Sequence, residues 1–187
     1  MTLHESALNA VSSWQPRTSF EEAEQAEFLA ALEQGPEALS RQPLRTHLTA
    51  SAFILDASRE QVLLVFHGKG KFWVQPGGHL ESQDTGITAA ALREATEETG
   101  LLPEALSALQ VVDLDHHQLS GAFGHCRSHL DIGVAMTTDG TPQPTVSEES
   151  DDVRWFPVDA LPRDTVSGFP QRLAGVLGRL REAEQGA

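Results

Sequence analysis

Apolar residues near the start of the chain recur at helical spacing. The segment TSFEEAEQAEFLAALEQGP carries an approximate apolar stripe, and Ser19 with Glu22 three residues later forms a capping-box pattern at its beginning. Gly35 and Pro36 end the pattern. Residues 1–44 are therefore predicted to form a helical N-terminal arm. Such an arm is either a dimer contact, a cover over a substrate, or a helix that merely packs on the main domain.

From His47 onward the pattern changes to short runs that are rich in β-branched and aromatic residues. HLTASAFILD and QVLLVFH, separated by the polar ASRE, predict a β-hairpin, and KFWV predicts a third strand that ends in the turn QPGG. Later in the chain, ALQVVDLDHHQ, SHLDIGVAMTT and VRWFPV predict three more strands.

Two helices are predicted among and after these strands. The alanine-rich residues 85–99 are helical by propensity and are closed by Gly100, and a last helix covers about residues 168–184. Strands, one helix, more strands and a closing helix are typical of an α/β sandwich with a mixed sheet. This domain is expected to span residues 45–187.

Composition and charge narrow the class of protein. The chain has 187 residues, 40% of them hydrophobic, and a formal net charge of −14, which fits one soluble core and disfavours a nucleic-acid partner. An acidic protein that handles phosphates is expected to recruit a divalent cation. Cys126 is the single cysteine, so we expect neither an intrachain disulfide framework nor a cysteine-based zinc site. Neither a signal peptide nor a membrane span is recognisable, and we expect a cytoplasmic protein.

Three glutamates share one face of the predicted central helix. Glu94, Glu97 and Glu98 stand at i, i+3 and i+4, within an arc of roughly 100°. Like charges so placed repel each other by a few tenths of a kcal/mol per pair, which a solvated helix face tolerates. Magnesium or manganese would instead turn the repulsion into binding, because Mg²⁺ and Mn²⁺ prefer carboxylate oxygens and bridge to phosphates.

The residues around this face favour the metal interpretation. Gly77 and Gly78 precede the helix and let the backbone approach a ligand closely. Arg93 stands beside the glutamates, where it can orient a carboxylate through a charge-assisted hydrogen bond. Together, residues 78–101 resemble the Nudix box, whose pattern is G-x5-E-x7-R-E-x-x-E-E-x-G followed by a hydrophobic residue. REATEETGL matches every specified position of its second half.

The first half of the box departs from the pattern. The position of the first Glu holds Asp84, and 14 residues lie between Gly78 and Arg93 where the pattern has 13. We expect Asp84 to cap the helix, instead of or beside the structural role of that Glu. The departure does not touch the three-glutamate face.

The resemblance implies a fold, a reaction and a set of site residues. It implies an α/β/α sandwich, here with a helical N-terminal arm, and Mg²⁺- or Mn²⁺-dependent hydrolysis of a nucleoside diphosphate linked to another group. The implied metal ligands are Glu94, Glu97 and Glu98, with Arg93 positioning them and Gly77 lending a backbone carbonyl.

The general base of the family varies, so several residues remain candidates for it. Glu98 is one, since a metal ligand can also take the proton from water. In other family members the base comes from a later loop, where Glu148 and Glu149 are the candidates here. The alternative interpretation of that loop is solvated acid beside a proline turn.

Histidines and aspartates alternate along two predicted strands. Asp113, Asp115 and His117 share one face of the first strand, and His129 and Asp131 share one face of the next. If the faces meet, they form a polar cluster for base or phosphate recognition or for a second metal. The bland alternative is a set of hydrogen-bonded histidines at a cleft edge. The predicted substrate contacts are His79, His117 and His129.

Two other functions stay open at the level of sequence. A non-catalytic nucleotide sensor of the same fold is one, although three metal ligands argue against it. The other is an isomerase function, because His79 after the glycine pair and His47 at the first strand resemble isopentenyl diphosphate isomerase, a Nudix-fold enzyme that holds metal with histidines. The expected partner is a small nucleotide or other diphosphate substrate, with the N-terminal arm as a candidate homodimer contact.

Overall fold

A computed structural model describes residues 1–40, 45–119, 126–147 and 150–186. Four α-helices and seven strands lie in these ranges, together with short 3₁₀ turns at Pro36–Leu39 and Pro103–Ala105. In chain order the helices and strands are α1 Leu3–Ser13, α2 Ser19–Leu32, β1 Thr46–Asp56, β2 Gln61–His67, β3 Phe72–Val74, β4 Gly77–His79, α3 Ile87–Thr99, β5 Ser107–Gln118, β6 Ser128–Thr138, β7 Ser150–Pro157 and α4 Phe169–Gln185.

The strands form one mixed sheet, as predicted, and their order is β3-β2-β1-β6-β5. β1 runs parallel to β6 and antiparallel to β2, while β7 pairs with β2. β4 pairs with the first half of β1, placing Gly77 opposite Ser51 and His79 opposite Thr49. This three-residue strand was not predicted, since its glycines indicated only a turn. Its pairing with β1 fixes the loop that leads into α3.

Helices cover both faces of the sheet, so the predicted sandwich is confirmed. Successive β1 residues point to opposite faces: Leu48 belongs to a hydrophobic cluster shared with α1, α2 and α3, while Phe53 belongs to one shared with α4. The Phe53 and Phe169 rings stack with centroids 5.9 Å apart. Ten of the eleven β1 residues are buried, because this strand lies at the centre of the sheet.

The N-terminal helices contribute to the first of these clusters. Phe28 of α2 is fully buried there, as is Val11 of α1. The N-cap of α2 is Thr18, whose Oγ1 accepts a hydrogen bond from the Glu21 amide at 3.2 Å. The capping box predicted one residue later is therefore wrong, because the helix begins at Ser19 itself. Whether the arm is also a separate unit stays a prediction.

A contact from the arm caps the central helix. The Ser6 side-chain oxygen accepts a hydrogen bond from the Ile87 amide at 3.1 Å. Gly86, at the N-cap position of α3, has no side chain with which to do this. A first-turn amide of α3 is thus satisfied by a residue 81 positions away. Among the residues described, none of the helices is long and apolar enough to span a membrane.

Candidate active site

Helix α3 brings two of the three predicted carboxylate ligands into a protected position. Its alanines pack on the sheet, and Gly100 ends it in the left-handed region with φ 68°. Glu94 and Glu98 are 8% and 9% exposed, whereas the Glu97 side chain is 59% exposed. The predicted face therefore exists, with Glu97 at its solvent side.

Arg93 joins the carboxylates of this region. Its Nη1 donates to Glu94 Oε1 at 2.9 Å and to Glu97 Oε2 at 3.0 Å. Its Nε and Nη2 donate to the two oxygens of Asp84, both at 3.0 Å, and Nη2 also reaches the His79 carbonyl at 3.0 Å. We call Arg93 with Asp84, Glu94 and Glu97 the arginine clamp. It fixes two predicted metal ligands relative to the preceding loop.

Contacts within the clamp shift the pKa values of Arg93 and Asp84. The hydrogen bond with Asp84 raises the pKa of Arg93 against the effect of burial, with Glu94 adding to the rise. Burial pushes the pKa of Asp84 upward, but hydrogen bonds from Arg93 and the Glu81 amide hold it below its usual range. Both groups are therefore charged near neutral pH.

Asp84 does not cap α3, so that prediction is wrong. Its carboxylate accepts from Arg93 and from the Glu81 amide, at 2.8 Å for the latter. The extra residue of the loop places it two positions before the N-cap, Gly86. Asp84, at the position of the first Glu of the box pattern, is thus the bidentate partner of Arg93.

The glycine pair is required by close contacts rather than by unusual backbone angles. A Cβ on Gly77 would lie 2.5 Å from the Ser51 Cβ, and one on Gly78 would lie 2.7 Å from Glu94 Oε1. The Gly77 amide donates to Glu98 Oε2 at 2.9 Å. The loop therefore rests directly on both buried carboxylates. A metal bond from the Gly77 carbonyl stays a prediction, and Glu148 and Glu149 lie outside the described residues.

The predicted histidine substrate contacts gather on the other side of β4. Register pairs His129 with both His47 and His117 across neighbouring strands. The His79 ring lies 5.1 Å from that of His47 and 5.3 Å from that of His129, between centroids, and His117 is 5.5 Å from His129. Burial, followed by the neighbouring histidines, lowers the pKa of His129 to about 3, so this ring is neutral.

The aspartates of the same strands do meet, which the sequence analysis left open, and they lie around an arginine that it did not identify. Arg172 Nη2 donates to Asp113 Oδ2 at 2.6 Å and to Asp131 Oδ2 at 2.9 Å, and Nη1 lies 3.2 Å from Asp115 Oδ2. Asp131 also accepts from Ser51 at 2.6 Å. The sequence feature that could have indicated this network is Arg172 itself, a charged residue among the apolar residues of the last helix. Its pairing makes this cluster a buried ionic network.

Helix α2 borders a cavity beside this network. The cavity has a volume of about 260 Å³ and lies between α2, β5 and α4. Glu24 lines it and accepts from the His116 amide at 3.4 Å. Burial, and then Asp115 and Asp113, raise the pKa of Glu24 to about 7 against the opposing effects of that amide and Arg172.

Comparisons with known proteins agree with this architecture. A protein-family model described as the NUDIX domain matches residues 45–174. The fold is similar to that of a C. elegans Ap4A hydrolase (TM-score 0.60, 16% identity, covering 72% of this chain and 97% of that one). It is also similar to an E. coli dihydroneopterin triphosphate pyrophosphohydrolase (TM-score 0.58, 17% identity, 70% and 92% covered). A search of curated proteins found no match.

One further structure extends the similarity over the N-terminal helices. A UDP-X diphosphatase aligns with a TM-score of 0.57 and 16% identity, covering 96% of this chain and 89% of its own. At such identities the likeness is one of fold. The family match spans more than half of the chain, and the clamp and glycine loop occupy its box. The chain belongs to the Nudix family.

Membership defines the type of reaction. The protein is a Nudix-type pyrophosphohydrolase.

Proposed function

We propose that the protein hydrolyses a diphosphate linkage in a nucleoside diphosphate-linked small molecule, with Mg²⁺ or Mn²⁺ held by Glu94, Glu97 and Glu98. The observation that carries this proposal is the arginine clamp. It holds Glu94 and Glu97 beside each other while the Gly77 amide holds Glu98.

The residues present fit a hard divalent cation. Carboxylates are the ligands that Mg²⁺ and Mn²⁺ prefer, and two of the three are largely buried although each carries a charge that repels the others. A side chain at Gly78 would collide with Glu94. The backbone at Gly78 is therefore packed directly against the Glu94 carboxylate, which supports a metal site at this position.

The roles of the side chains follow from this arrangement. When bound, the cation would neutralise charge on the diphosphate and lower the pKa of the attacking water. Arg93 keeps Glu94 and Glu97 oriented, so that neither has to reorganise during the reaction. Glu98 is our first candidate for the general base, with Glu148 and Glu149 as the alternatives.

Among the three histidines predicted to contact substrate, we propose that role for His117, while His79 and His129 are candidates either for substrate contact or for binding a metal. They line the opposite side of β4 from Glu94, on strands whose register places the rings together. The solved structures of similar fold are named for different diphosphate compounds, among them Ap4A and a UDP-X. We would test UDP-linked compounds first, because the similarity to the UDP-X diphosphatase includes the N-terminal helices.

The test is a chromatographic screen for the products of hydrolysis, a nucleoside monophosphate with either a second phosphorylated fragment or pyrophosphate, over nucleoside triphosphates, nucleotide sugars, ADP-ribose, dinucleoside polyphosphates and coenzyme A derivatives. It is run with Mg²⁺ and Mn²⁺ on the parent chain and on Glu98→Gln. We expect metal-dependent turnover that drops ~100-fold in the variant, the scale of lost electrostatic stabilisation. Glu104→Gln, an exposed glutamate, is the matched control and should keep full activity.

Other results of this screen would replace the proposal. Tight nucleotide binding without turnover would favour the sensor. Failure on every nucleotide, with turnover of isopentenyl diphosphate, would favour the isomerase-like function.

We also propose, from the sequence alone, that the protein is cytoplasmic and that it forms a homodimer. Sedimentation of the full chain tests the second, since an arm that only packs on its own domain leaves the protein monomeric.

A further inference from the structure

Four side chains on the histidine side of β4 converge without any carboxylate among them. His47, His79, Cys126 and His129 each offer one ligand atom, and these atoms all lie within 4.8 Å of one another. Cys126 Sγ is 3.8 Å from His79 Nε2. We call these four residues the histidine–cysteine cluster. It is separate from the carboxylates of α3.

The separation follows from the alternation of β4. Gly78 faces Glu94, so the next residue, His79, points to the opposite face of the strand. There His79 meets the rings of His47 and His129. One short strand thus contributes to two groups of different chemistry.

The chemistry of the cluster selects a class of metal. Imidazole nitrogen and thiolate sulfur are borderline-to-soft donors, which suit Zn²⁺ and disfavour Mg²⁺. Tetrahedral zinc, with Zn–S of about 2.3 Å and Zn–N of about 2.0–2.1 Å, sets sulfur and nitrogen about 3.6 Å apart. The 3.8 Å between Cys126 Sγ and His79 Nε2 is close to that value.

The position of the cluster is also suited to a metal. His47 is 1% exposed, and three of the four residues lie in paired strands β1, β4 and β6. The Nε2 atom of His129 is buried and has no hydrogen-bond partner among the described residues. A buried polar atom of this kind is costly unless a ligand satisfies it.

We propose that His47, His79, Cys126 and His129 bind one zinc ion. Four protein ligands close the coordination sphere, which is the arrangement of a structural site. Binding releases the Cys126 thiol proton to solvent and leaves the thiolate on the metal. The ion would tie β4 to β1 and β6 and so hold the Gly77–Gly78 loop against the carboxylates of α3. His79 and His129 would then support the loop and would not contact substrate.

Cobalt titration of the full chain, stripped of metal with a chelator, tests the proposal directly. We expect thiolate-to-cobalt charge-transfer absorption and intense tetrahedral d–d bands that saturate at one Co²⁺ per chain, whatever weaker binding occurs at the carboxylates, and that one equivalent of Zn²⁺ removes. Absence of the thiolate band would overturn the proposal.

Matched variants locate the ion. Cys126→Ser should abolish the charge-transfer band, and His129→Ala should weaken zinc affinity by more than the ~10–100-fold that loss of an outer-sphere partner costs. Glu98→Gln should leave the band unchanged, as should His116→Ala, which removes a histidine from the opposite face of β5. A band that survives Cys126→Ser, or disappears in Glu98→Gln, would contradict the assignment.

The single cysteine gives a second measurement that does not depend on spectra or on folding of the variants. A thiol reagent reports on Cys126 alone, since it is the thiolate that reacts. Stoichiometric Zn²⁺ should slow the modification of the parent chain, and a chelator should restore it. Equal rates with and without zinc would overturn the proposal. Mg²⁺ alone should give no protection, and protection by Mg²⁺ would equally contradict it.

Discussion

The two sides of β4 carry ligand-forming groups that are built in different ways. On one side Glu94, Glu97 and Glu98 come from a single helix; Arg93 holds the first two and the Gly77 amide holds Glu98. On the other side the histidine–cysteine cluster is assembled from three strands and a residue at position 126. Local spacing specifies the first group and sheet register specifies the second. We therefore expect changes on the carboxylate side to affect catalysis, and changes on the histidine side to affect stability.

The largest expected effect lies in the ionic network on the histidine side. Arg172→Met leaves Asp113 and Asp131 buried beside each other without their cation, and breaking a buried pair in this way costs about 3–5 kcal/mol of unfolding free energy. Urea denaturation measures the loss. Arg154→Met is the matched control: its side chain is 64% exposed and pairs with Asp152, so about 0–1 kcal/mol is expected. Equal losses in both variants would contradict the burial argument.

On the carboxylate side, one methyl group should impair catalysis. Gly78→Ala places a Cβ 2.7 Å from Glu94 Oε1, and displacing a catalytic group by about 1 Å can cost ~100-fold in rate. Steady-state kcat, with circular dichroism to confirm folding, checks this. Gly175→Ala is the control, because its Cβ would meet nothing within 4 Å. Unchanged kcat in Gly78→Ala would show that the glutamate need not stay where the loop holds it.

A smaller effect is expected one contact farther from the carboxylates. Asp84→Asn removes the charge that orients Arg93, and the loss of such an outer-sphere partner costs ~10-fold or more in metal affinity or activity. The Mg²⁺ concentration for half-maximal turnover should rise. Asp159→Asn, at an exposed position, should leave it unchanged. If both variants need the same Mg²⁺ concentration as the parent chain, the clamp does not act on the metal site.

The smallest effect is a pH dependence at the edge of the sheet. The pKa of Glu24 is raised from 4.5 to about 7 by burial, so the folded chain holds a proton that the unfolded chain has already released. Unfolding free energy from this group therefore falls as pH rises from about 4.5 to about 7, and is constant above that. Glu24→Gln should flatten this slope in urea midpoints measured across the range. Parallel slopes in variant and parent would refute the raised pKa.

The same contrast explains what could be predicted from the sequence. Strands in which apolar and polar residues alternate were predicted with accurate boundaries: the predicted strand SHLDIGVAMTT is β6, Ser128–Thr138. The three glutamates were placed on one face because helical geometry follows from spacing alone. Arg172 was missed because its partner Asp131 is 41 residues away, and only the packing of α4 on the sheet joins them.

Short and irregular segments were the least predictable. β4 has three residues, two of them glycine, and it forms only because β1 offers a pairing edge. The extra loop residue moved Asp84 from the expected N-cap to the partner of Arg93. A single cysteine argued against both a disulfide and a cysteine-based zinc site. Nothing near Cys126 in the sequence points to residues 47 and 79, so its place beside these histidines was not predicted.

The hydrogen bond from the Ile87 amide to Ser6 shows that the segment matched by the family model and the segment that packs together have different boundaries. Shared ancestry is recognisable over residues 45–174. The packed structure extends beyond this segment, because an amide in the first turn of α3 donates to Ser6 and Leu180, beyond that match, lies in the core. A chain trimmed to its inherited segment would keep every box residue and lose part of what supports them. The segment that the family model matches is therefore shorter than the segment whose contacts support the box residues.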